Sequence, residues 1–558
     1  MKKKWLECVV LLLFIIALAH GIIQVRSARQ TTKQQTIKQE RQEIIVPDAS
    51  QETTQTAQEV LNNQMAGVES TQAAETGTAA AETEPVTETE TQETTQTADT
   101  KVDIPTTGTQ DVQELTDAIL RMASPAFFEG YPVDDSFLGW VAKQKGSGVL
   151  QQVSAQLKSG KQDPKLWYQL TKNSMHVLWL KYCMAYQYQS YSYADVIWKE
   201  AADPSAVRLD FAGDLCLDPD WYTMESVTGQ IAERFSDNLL QELKSADFTM
   251  LNNEFTYTQE EQAQKGKAYC FRADPKAAQL LETFGADMVS LANNHVFDYG
   301  EQGFLDTLAA LDTEKIPYSG AGKNSDEAAA PRYVVIGGWK VAIVSATEIE
   351  RFYEFTQEAG ESTPGVLKIQ QEELLKNALK EAKKNSDFVI AYLHWGTEGK
   401  INYGSDQVKL AELCADAGAD AIIGSHPHRL QGVEYVNGVP VAYSLGNFWF
   451  GNAKIYSGVA QIVIDDSGKL TMRMLPCLQN GTSTVLLTDE EQKKEYYHYL
   501  ADVSKNVGID ADGTIHAYKD VTEPGESPYT YTSGRRYGQH YDDTDLNGQD
   551  IDIEGNLQ

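Results

Sequence analysis

The stretch from Ser290 to Gly300 constrains the fold of this chain more than any other part of the sequence. The apolar run 287–292 predicts a buried strand, and Gly300 allows the turn into the helical pattern that follows. Four groups that can bind metal or transfer protons lie between the strand and the helix: Asn293, Asn294, His295 and Asp298. Ligands of open α/β sheets bind at this carboxyl end of the strands. An Asx-rich turn that only caps the helix is the alternative, so the interpretation depends on whether the arrangement recurs.

The arrangement recurs at four other predicted strands. The side chains at their ends are Asp214 after 209–213, Glu254 after 248–253, His394 after 388–393, and His426 with His428 after 421–425. Each of them alone has an ordinary explanation as a helix cap, a surface carboxylate, a core histidine or a loop residue. Because all of these explanations together require five coincidences, the sequence predicts that the five strand ends form one catalytic edge.

Short apolar runs alternate with amphipathic helical patterns over residues 204–480, which is typical of a mainly α/β domain. The last third of this domain turns to strands and is predicted to be antiparallel. The chain has 558 residues, of which 42% are apolar, so a domain of this size can bury a substantial core. Helical patterns rich in Trp and Tyr fill 111–203, which favours a packed helical region over a sugar-binding surface. Residues 481–558 are predicted to form a C-terminal extension with one more helix and an acidic, disordered tail.

The first 25 residues predict export from the cytoplasm. Lys2, Lys3 and Lys4 precede an apolar run that continues to Val25, about long enough to span a bilayer at roughly 20 residues. We predict a retained signal-anchor, a single transmembrane helix in the cell membrane with the bulk of the chain extracytoplasmic. Cleavage after Ala19 and secretion is the alternative. Residues 26–110 contain mainly Thr, Gln, Glu and Ala with almost no aromatic residues, which predicts a disordered linker that holds the folded part off the membrane.

The net charge of −33 excludes nucleic acid as a partner, because nucleic acid binding needs clustered Lys and Arg, and the sequence has no such stretch. A polyanionic ligand would require a local positive centre, such as bound metal. The oxygen and imidazole groups at the strand ends suit Mn, Fe or Zn better than Ca. Two such ions about 3.5–4 Å apart, bridged by a carboxylate, lower the pKa of a shared water and clamp the oxygens of an in-line displacement.

Proton transfer and substrate binding are assigned to other residues of the same stretches. His295 follows the ligand candidate Asn294 and is placed to protonate a leaving group, and Asp298 is placed to orient that imidazole. Three asparagines are predicted to bind substrate: Asn253, Asn293 and Asn447.

An ordered set of motifs runs through the α/β domain: Gly213-Asp214, Asn252-x-Glu254, Ala292-Asn-Asn-His-x-x-Asp298-x-Gly300, His394-Trp-Gly396, Gly424-x-His426-Pro-His428 and Tyr443-Ser-Leu-Gly-Asn-Phe448. The set resembles the signature of the CapA-type capsule synthesis proteins, which are linked to poly-γ-glutamate production and belong to the calcineurin-like metallophosphoesterase superfamily. The resemblance covers about 207–477 and implies a four-layer α/β/β/α sandwich. It also implies that His295 is an acid and that six residues are metal ligands: Asp214, Glu254, Asn294, His394, His426 and His428.

The sequence departs from the wider superfamily at its first motif, which there is Asp-x-His. Here Cys216 occupies the position of that His. Capsule-type members commonly lack the His as well.

Three hypotheses follow for the function. The first is a metal-dependent hydrolase or transferase in the synthesis, export or attachment of poly-γ-glutamate or a related anionic envelope polymer. The second is a non-catalytic structural partner of a membrane-bound polymer synthase, and the third is a general metallophosphoesterase.

Overall fold

The computed structural model describes residues 112–186, 195–219, 231–350 and 355–518, together with the backbone of 529–530. The predicted anchor (1–25), the predicted linker (26–110) and most of the predicted acidic tail lie outside these residues. None of the helices in the described ranges is both long and apolar enough to cross a membrane.

Helices are numbered here in chain order over the described residues. They are α1 Val112–Met122, α2 Asp135–Lys145, α3 Ser147–Lys158, α4 Leu166–Thr171, α5 Met175–Ala185, α6 Asp237–Ser245, α7 Gly300–Glu314, α8 Ser325–Ala329, α9 Glu372–Asn385, α10 Ser405–Ala417 and α11 Glu490–Asp502. Segments of 3₁₀ helix cover Pro125–Phe128, Ile231–Arg234 and Pro275–Phe284.

Strands are numbered in the same way. They are β1 Val196–Lys199, β2 Ala206–Leu215, β3 Phe248–Asn253, β4 Thr256–Tyr257, β5 Arg272–Ala273, β6 Met288–Ser290, β7 Tyr318–Ser319, β8 Ala321–Gly322, β9 Arg332–Ile336, β10 Trp339–Thr347, β11 Gly365–Val366, β12 Phe388–His394, β13 Ala421–Ser425, β14 Val433–Val436, β15 Val439–Ala442, β16 Asn447–Trp449, β17 Lys454–Asp465, β18 Leu470–Asn480, β19 Ser483–Leu486, β20 Val507–Ile509, β21 Ile515–Ala517 and β22 Tyr529–Thr530.

Two large sheets organise the described residues. Sheet 1 has the strand order β19-β18-β17-β2-β3-β6-β7, with β16 also paired to β2, and sheet 2 has the order β1-β9-β10-β12-β13-β15-β14. Neighbours from β2 to β7 in sheet 1 and from β10 to β15 in sheet 2 are parallel. Strands β17, β18 and β19 are antiparallel, as expected for the last third of the domain. The prediction of a mixed α/β domain is confirmed.

The two sheets share one apolar core and each packs helices on its other face. Alternate residues of β12 show the pattern, because successive side chains of a strand point to opposite faces. Ile390 and Tyr392 join the core between the sheets. Val389 and Leu393 pack with α9 and α10, whose apolar residues recur at helical spacing. On the outer face of sheet 1, α6, α7 and the 275–284 segment contribute to a separate core.

The helical region and the C-terminal extension both contact this domain. Helices α1 to α5 have an apolar core of their own. Strand β1 follows them and pairs in parallel with β9, which adds an edge strand to sheet 2. At the other end, Tyr496 and Leu500 of α11 and Val507 of β20 enter the core between the sheets. The folded body therefore continues beyond residue 480 to at least 517.

Asp210 of β2 gives the domain a pH-dependent stability. Its side chain is buried, and burial raises its pKa to about 7, although Gln461 Nε2 donates a hydrogen bond to it at 2.9 Å. Because folding raises this pKa, the contribution to stability is complete below the unfolded value near 3.9 and is lost as the pH rises to about 7. We expect the stability of Asp210→Asn relative to wild type to grow by on the order of 4 kcal/mol between about pH 4 and pH 8. Urea unfolding tests this, and a pH-independent difference would contradict it.

Candidate metal centre

The carboxyl ends of five strands meet at one place, where β2, β3 and β6 of sheet 1 end beside β12 and β13 of sheet 2. The backbone amide of His426 donates to Asp214 Oδ2 at 3.3 Å, which ties the end of β13 to the end of β2. Gly213 permits close packing here, because a Cβ atom at this position would lie 1.9 Å from the carbonyl oxygen of Gly446. The structure therefore brings the predicted strand ends together.

Glu254 follows β3 and belongs to two groups of side chains that offer metal-ligand atoms. One group is Glu254 with His394 and His426, the other is Glu254 with Asp214 and His428, and the ligand atoms of each group lie within 4.8 Å of one another. Glu254 Oε1 is 3.3 Å from His394 Nε2 and 3.8 Å from His428 Nε2. All five residues are at most 2% exposed. A carboxylate in this position is able to bridge two ions.

Asn294, the sixth predicted ligand, contacts the first of these groups. Its Oδ1 atom lies 2.7 Å from His394 Nε2, while Ser425 Oγ lies 3.1 Å from the other ring nitrogen, Nδ1. The His394 imidazole is therefore held from both sides. All six predicted ligands come together, and their coordination of metal stays a prediction.

Three of the predicted ligands have the charge states that bind metal. Burial lowers the pKa of His394 to about 3 and holds the pKa of His426 well below its ordinary value, so both rings are neutral. Burial alone would raise the pKa of Asp214, but its hydrogen bonds with His428 and Asn252 act against burial, and the pKa lies below its ordinary value. Ionised carboxylates and neutral imidazoles are the protonation states required of ligands.

The backbone around Pro427 holds two imidazoles in the centre. His426 and His428 have left-handed φ angles of 99° and 56°, which residues other than glycine adopt only when their surroundings enforce it. His426 Nδ1 is buried and has no hydrogen-bond partner within the described part of the chain. An imidazole nitrogen with a free lone pair can bind a metal ion. The donor set of carboxylates, one amide and imidazoles therefore fits a divalent transition-metal ion.

Asn252 organises the centre and was absent from the predicted site residues. Its Nδ2 atom donates to Asp214 Oδ1 at 2.8 Å and to Glu254 Oε2 at 3.1 Å, and lies 3.2 Å from His394 Nδ1. Its Oδ1 atom accepts from Asn293 Nδ2 at 3.2 Å. The signal in the sequence was its place at the end of β3, two residues before Glu254.

His295 and Asp298 form a hydrogen-bonded pair beside the predicted ligands. His295 Nδ1 lies 2.7 Å from Asp298 Oδ2, which also accepts from the backbone amide of Phe271 at 2.7 Å. Both side chains are at most 2% exposed. Burial lowers the pKa of His295 to about 4, and the charge of Asp298 acts in the opposite direction. The geometry suits the predicted roles of acid and orienting carboxylate.

Lys267 is a buried cation that sequence reasoning missed. Its Nζ atom lies 2.7 Å from Asp298 Oδ1 and 3.7 Å from Glu350 Oε1, and it donates to the backbone carbonyl of Asn294. Burial alone would lower the pKa of Lys267, but Asp298 and Glu350 outweigh it and raise the pKa. The residue lies in a polar stretch without periodicity, so nothing local marks it.

Replacing Lys267 with methionine is expected to lower the free energy of unfolding by about 3–5 kcal/mol, because it leaves the Asp298 carboxylate buried without its cation. The Lys267 and Asp298 side chains are 7% and 0% exposed. Lys376→Met is the control, because that lysine pairs with Glu372 on the surface of α9 and should matter little. Urea unfolding measures both, and similar losses for the two variants would count against the buried pair.

The three asparagines predicted to bind substrate are buried and hydrogen-bonded to the protein. Asn253 Nδ2 donates to the carbonyl of Phe255 at 3.1 Å. Asn293 Oδ1 accepts from the backbone amide of His295 at 3.0 Å. Asn447 Oδ1 lies 2.9 Å from His428 Nδ1 and so orients that imidazole. These contacts position the centre, and a role in substrate binding stays a prediction.

Cys216, two residues after Asp214, is where the sequence departs from the Asp-x-His motif. Its side chain is buried in the apolar core on the outer face of sheet 1. Burial raises the pKa of the Cys216 thiol well above its ordinary value, so the thiolate form is disfavoured. Within the described residues, Cys216 belongs to none of the groups able to hold a metal ion.

The comparisons with known proteins agree on one family. The sequence profile of “Bacterial capsule synthesis protein PGA_cap” matches residues 208–452. The “PGA biosynthesis protein CapA” of Bacillus subtilis is 33% identical over 247 residues, which cover 43% of this chain and 62% of that protein. The “Capsule biosynthesis protein CapA” of Bacillus anthracis is 31% identical over 274 residues, which cover 47% of this chain and 66% of that protein. The chain thus spans just under two thirds of the length of each relative.

Among solved structures, a 5′-nucleotidase from Candida albicans aligns over 48% of this chain and 51% of its own, with 10% identity and a TM-score of 0.29. A TM-score this low does not establish a shared fold. The family match stands on the sequence, and its residues 208–452 contain all six predicted ligands. Residues 208–452 of this chain thus resemble the CapA-type family of bacterial capsule synthesis proteins.

Proposed function

We propose that this protein is a metal-dependent hydrolase or transferase in the synthesis, export or attachment of poly-γ-glutamate or a related anionic capsule polymer. The observation that carries the proposal is Glu254, a buried carboxylate shared by two groups of potential metal ligands. The names of the Bacillus relatives, which refer to PGA and capsule biosynthesis, supply the polymer class. A bound metal would also give this strongly acidic chain the positive centre that an anionic substrate requires.

In this proposal the six predicted ligands would hold two divalent ions, Mn, Fe or Zn: Asp214, Glu254, Asn294, His394, His426 and His428. When bound, such a pair supplies an activated water and neutralises charge on the oxygens of the reacting group. The protein contributes the fixed donors. Asn252 keeps Asp214 and Glu254 in place through Nδ2, and Asn447 orients His428.

His295 moves the proton in this proposal. Asp298 Oδ2 lies 2.7 Å from His295 Nδ1. The other ring nitrogen, Nε2, is therefore left to face the leaving group. Lys267 and the Phe271 amide hold Asp298, so the orientation of the imidazole is fixed before substrate arrives. Asn253, Asn293 and Asn447 remain the candidates for contact with substrate.

The finer fold and the location belong to the same proposal. Two sheets with a shared core and helices on their outer faces support a four-layer, metallophosphoesterase-like sandwich. We place the protein in the cell membrane through residues 1–25, with the remainder extracytoplasmic on the 26–110 linker, and cleavage after Ala19 with secretion is the alternative. Membrane-bound polymer synthase subunits are the proposed partners.

A non-catalytic structural role in a synthase complex is the second candidate. Cys216 favours it, because its thiol packs in an apolar core and leaves the centre without the superfamily's histidine ligand. Capsule formation in a strain that lacks the gene separates the two candidates. Wild type should restore the polymer, and His295→Ala and Asp298→Ala should not. Restoration by these variants at normal protein levels would favour the structural role.

The reaction class is tested on the purified full chain. A hydrolase or transferase should process γ-glutamyl polymer in a metal-dependent manner, with the activity abolished by chelation and regained on addition of Mn²⁺ or Zn²⁺. Activity on phosphodiesters without activity on the polymer would favour a general metallophosphoesterase instead.

A further inference from the structure

We infer that Glu129, His176 and Asp387 form a second site for a divalent transition-metal ion, where the helical region meets sheet 2. Glu129 follows the 3₁₀ segment 125–128, His176 lies in the first turn of α5, and Asp387 directly precedes β12. Each residue offers a ligand atom within 4.8 Å of the other two. The site is separate from the centre around Glu254 and does not depend on the proposed function.

The contact between Glu129 and His176 is the first observation that points to a metal site. Glu129 Oε2 lies 2.9 Å from His176 Nε2, yet this buried oxygen has no hydrogen-bond partner within the described part of the chain. The two atoms are thus as close as neighbouring ligands of one ion, without the alignment of a hydrogen bond. Metal–ligand distances of about 2.0–2.2 Å place neighbouring ligand atoms at about this separation.

The imidazole of His176 is oriented as metal-binding histidines are. His176 is 4% exposed, and its other nitrogen, Nδ1, lies 2.5 Å from the hydroxyl of Tyr131. A histidine ligand usually has a partner of this kind, which fixes the ring and its tautomer. In the tautomer whose Nδ1 donates to the Tyr131 hydroxyl, the lone pair of Nε2 is free to bind an ion.

Asp387 is fixed through one oxygen only. Its Oδ2 atom accepts from the backbone amide of Lys340 at 2.7 Å and from Ser174 Oγ at 2.6 Å, and neither bond uses Oδ1. A cation between the carboxylates of Asp387 and Glu129 would remove the repulsion between their charges.

A cavity of about 370 Å³ gives access to the three residues, which all line it. Three lysines also line this cavity, and two of them are engaged away from the ligand atoms. Lys383 pairs with Asp420 at 2.7 Å, and Lys165 donates to the carbonyl of Ser467 at 3.0 Å. The third lysine that lines the cavity is Lys384. One imidazole with two carboxylates suits Zn²⁺ or Mn²⁺ rather than Ca²⁺.

An ion at this place would tie the helical region to sheet 2. Glu129 and His176 belong to the helical region, whereas Asp387 directly precedes β12, whose other end carries His394 of the predicted centre. Metal binding by groups from two parts of a fold stabilises their contact, because the free energy of binding adds to that of folding.

The test measures Zn²⁺ binding by the full chain with the first centre disabled by Glu254→Gln. Equilibrium dialysis and elemental analysis should find about one bound ion per chain in this background. Adding His176→Gln or Asp387→Asn should abolish this binding, and Tyr131→Phe should weaken it by about 10–100-fold. His498→Gln, which alters an exposed histidine on α11, is the matched control and should change nothing.

Asp387→Asn keeps an acceptor oxygen for Lys340 and Ser174. This variant therefore tests Zn²⁺ binding at the site even if His176→Gln fails to fold. Circular dichroism in the presence of chelator checks that the folds match. Absence of bound Zn²⁺ in Glu254→Gln would overturn the inference. Binding that survives both His176→Gln and Asp387→Asn would overturn it as well, whatever the fate of the proposed function.

Discussion

Glu254→Gln is expected to weaken metal binding at both positions of the predicted centre by more than about 100-fold, since outer-shell partners alone contribute 10–100-fold. The reason is that Glu254 is the one residue shared by the two ligand groups, one with His394 and His426 and the other with Asp214 and His428. Loss of the charge leaves an amide that binds transition metals weakly. Titration of the purified protein with Mn²⁺, followed by metal analysis, measures the effect.

Two single variants serve as the comparison for Glu254→Gln. His426→Gln and His428→Gln each belong to only one ligand group, so each should weaken one ion more than the other. His498→Gln on the surface of α11 should leave the titration unchanged. If folded Glu254→Gln bound Mn²⁺ as wild type does, Glu254 would not be a bridging ligand.

His295→Asn is expected to slow turnover by about 10²–10⁴-fold with substrates whose leaving group needs a proton. The effect should be small with an activated leaving group such as p-nitrophenolate, because that group departs without protonation. Asp298→Asn should act in the same direction, since Asp298 holds His295 Nδ1 at 2.7 Å. Steady-state rates for the two kinds of substrate on wild type and both variants measure this split.

The two substrates separate a chemical role of His295 from a structural one. An equal loss with both leaving groups would mean that the variant disturbs the centre as a whole. Metal content should be unchanged in His295→Asn, because His295 belongs to neither ligand group. No turnover of either substrate by wild type would instead count against the proposed hydrolase function.

Much of the fold followed from patterns within single segments. Apolar runs such as 388–393 became strands because their alternate residues fill the cores on the two faces of a sheet. The polar residues that end those runs met because parallel strands place their carboxyl ends at one edge. Asp214, Glu254 and His394 were therefore predictable from order and type alone.

Contacts between distant segments were not predictable in this way. Lys267 reaches Asp298 and Glu350 from a polar loop, and no spacing rule relates these positions. The pairing of β1 with β9 and the packing of β20 also depend on tertiary contacts, because three or four residues carry little periodicity. His176 and Asp387 meet only because the helical region packs on sheet 2.

Anomalous diffraction from crystals grown with Mn²⁺ is the most direct test of a two-metal centre at Glu254. We expect two peaks about 3.5–4 Å apart on either side of the Glu254 carboxylate, one near His394 and His426 and the other near Asp214 and His428. Manganese bound elsewhere in the crystal, with no peak within coordination distance of Glu254, would contradict it.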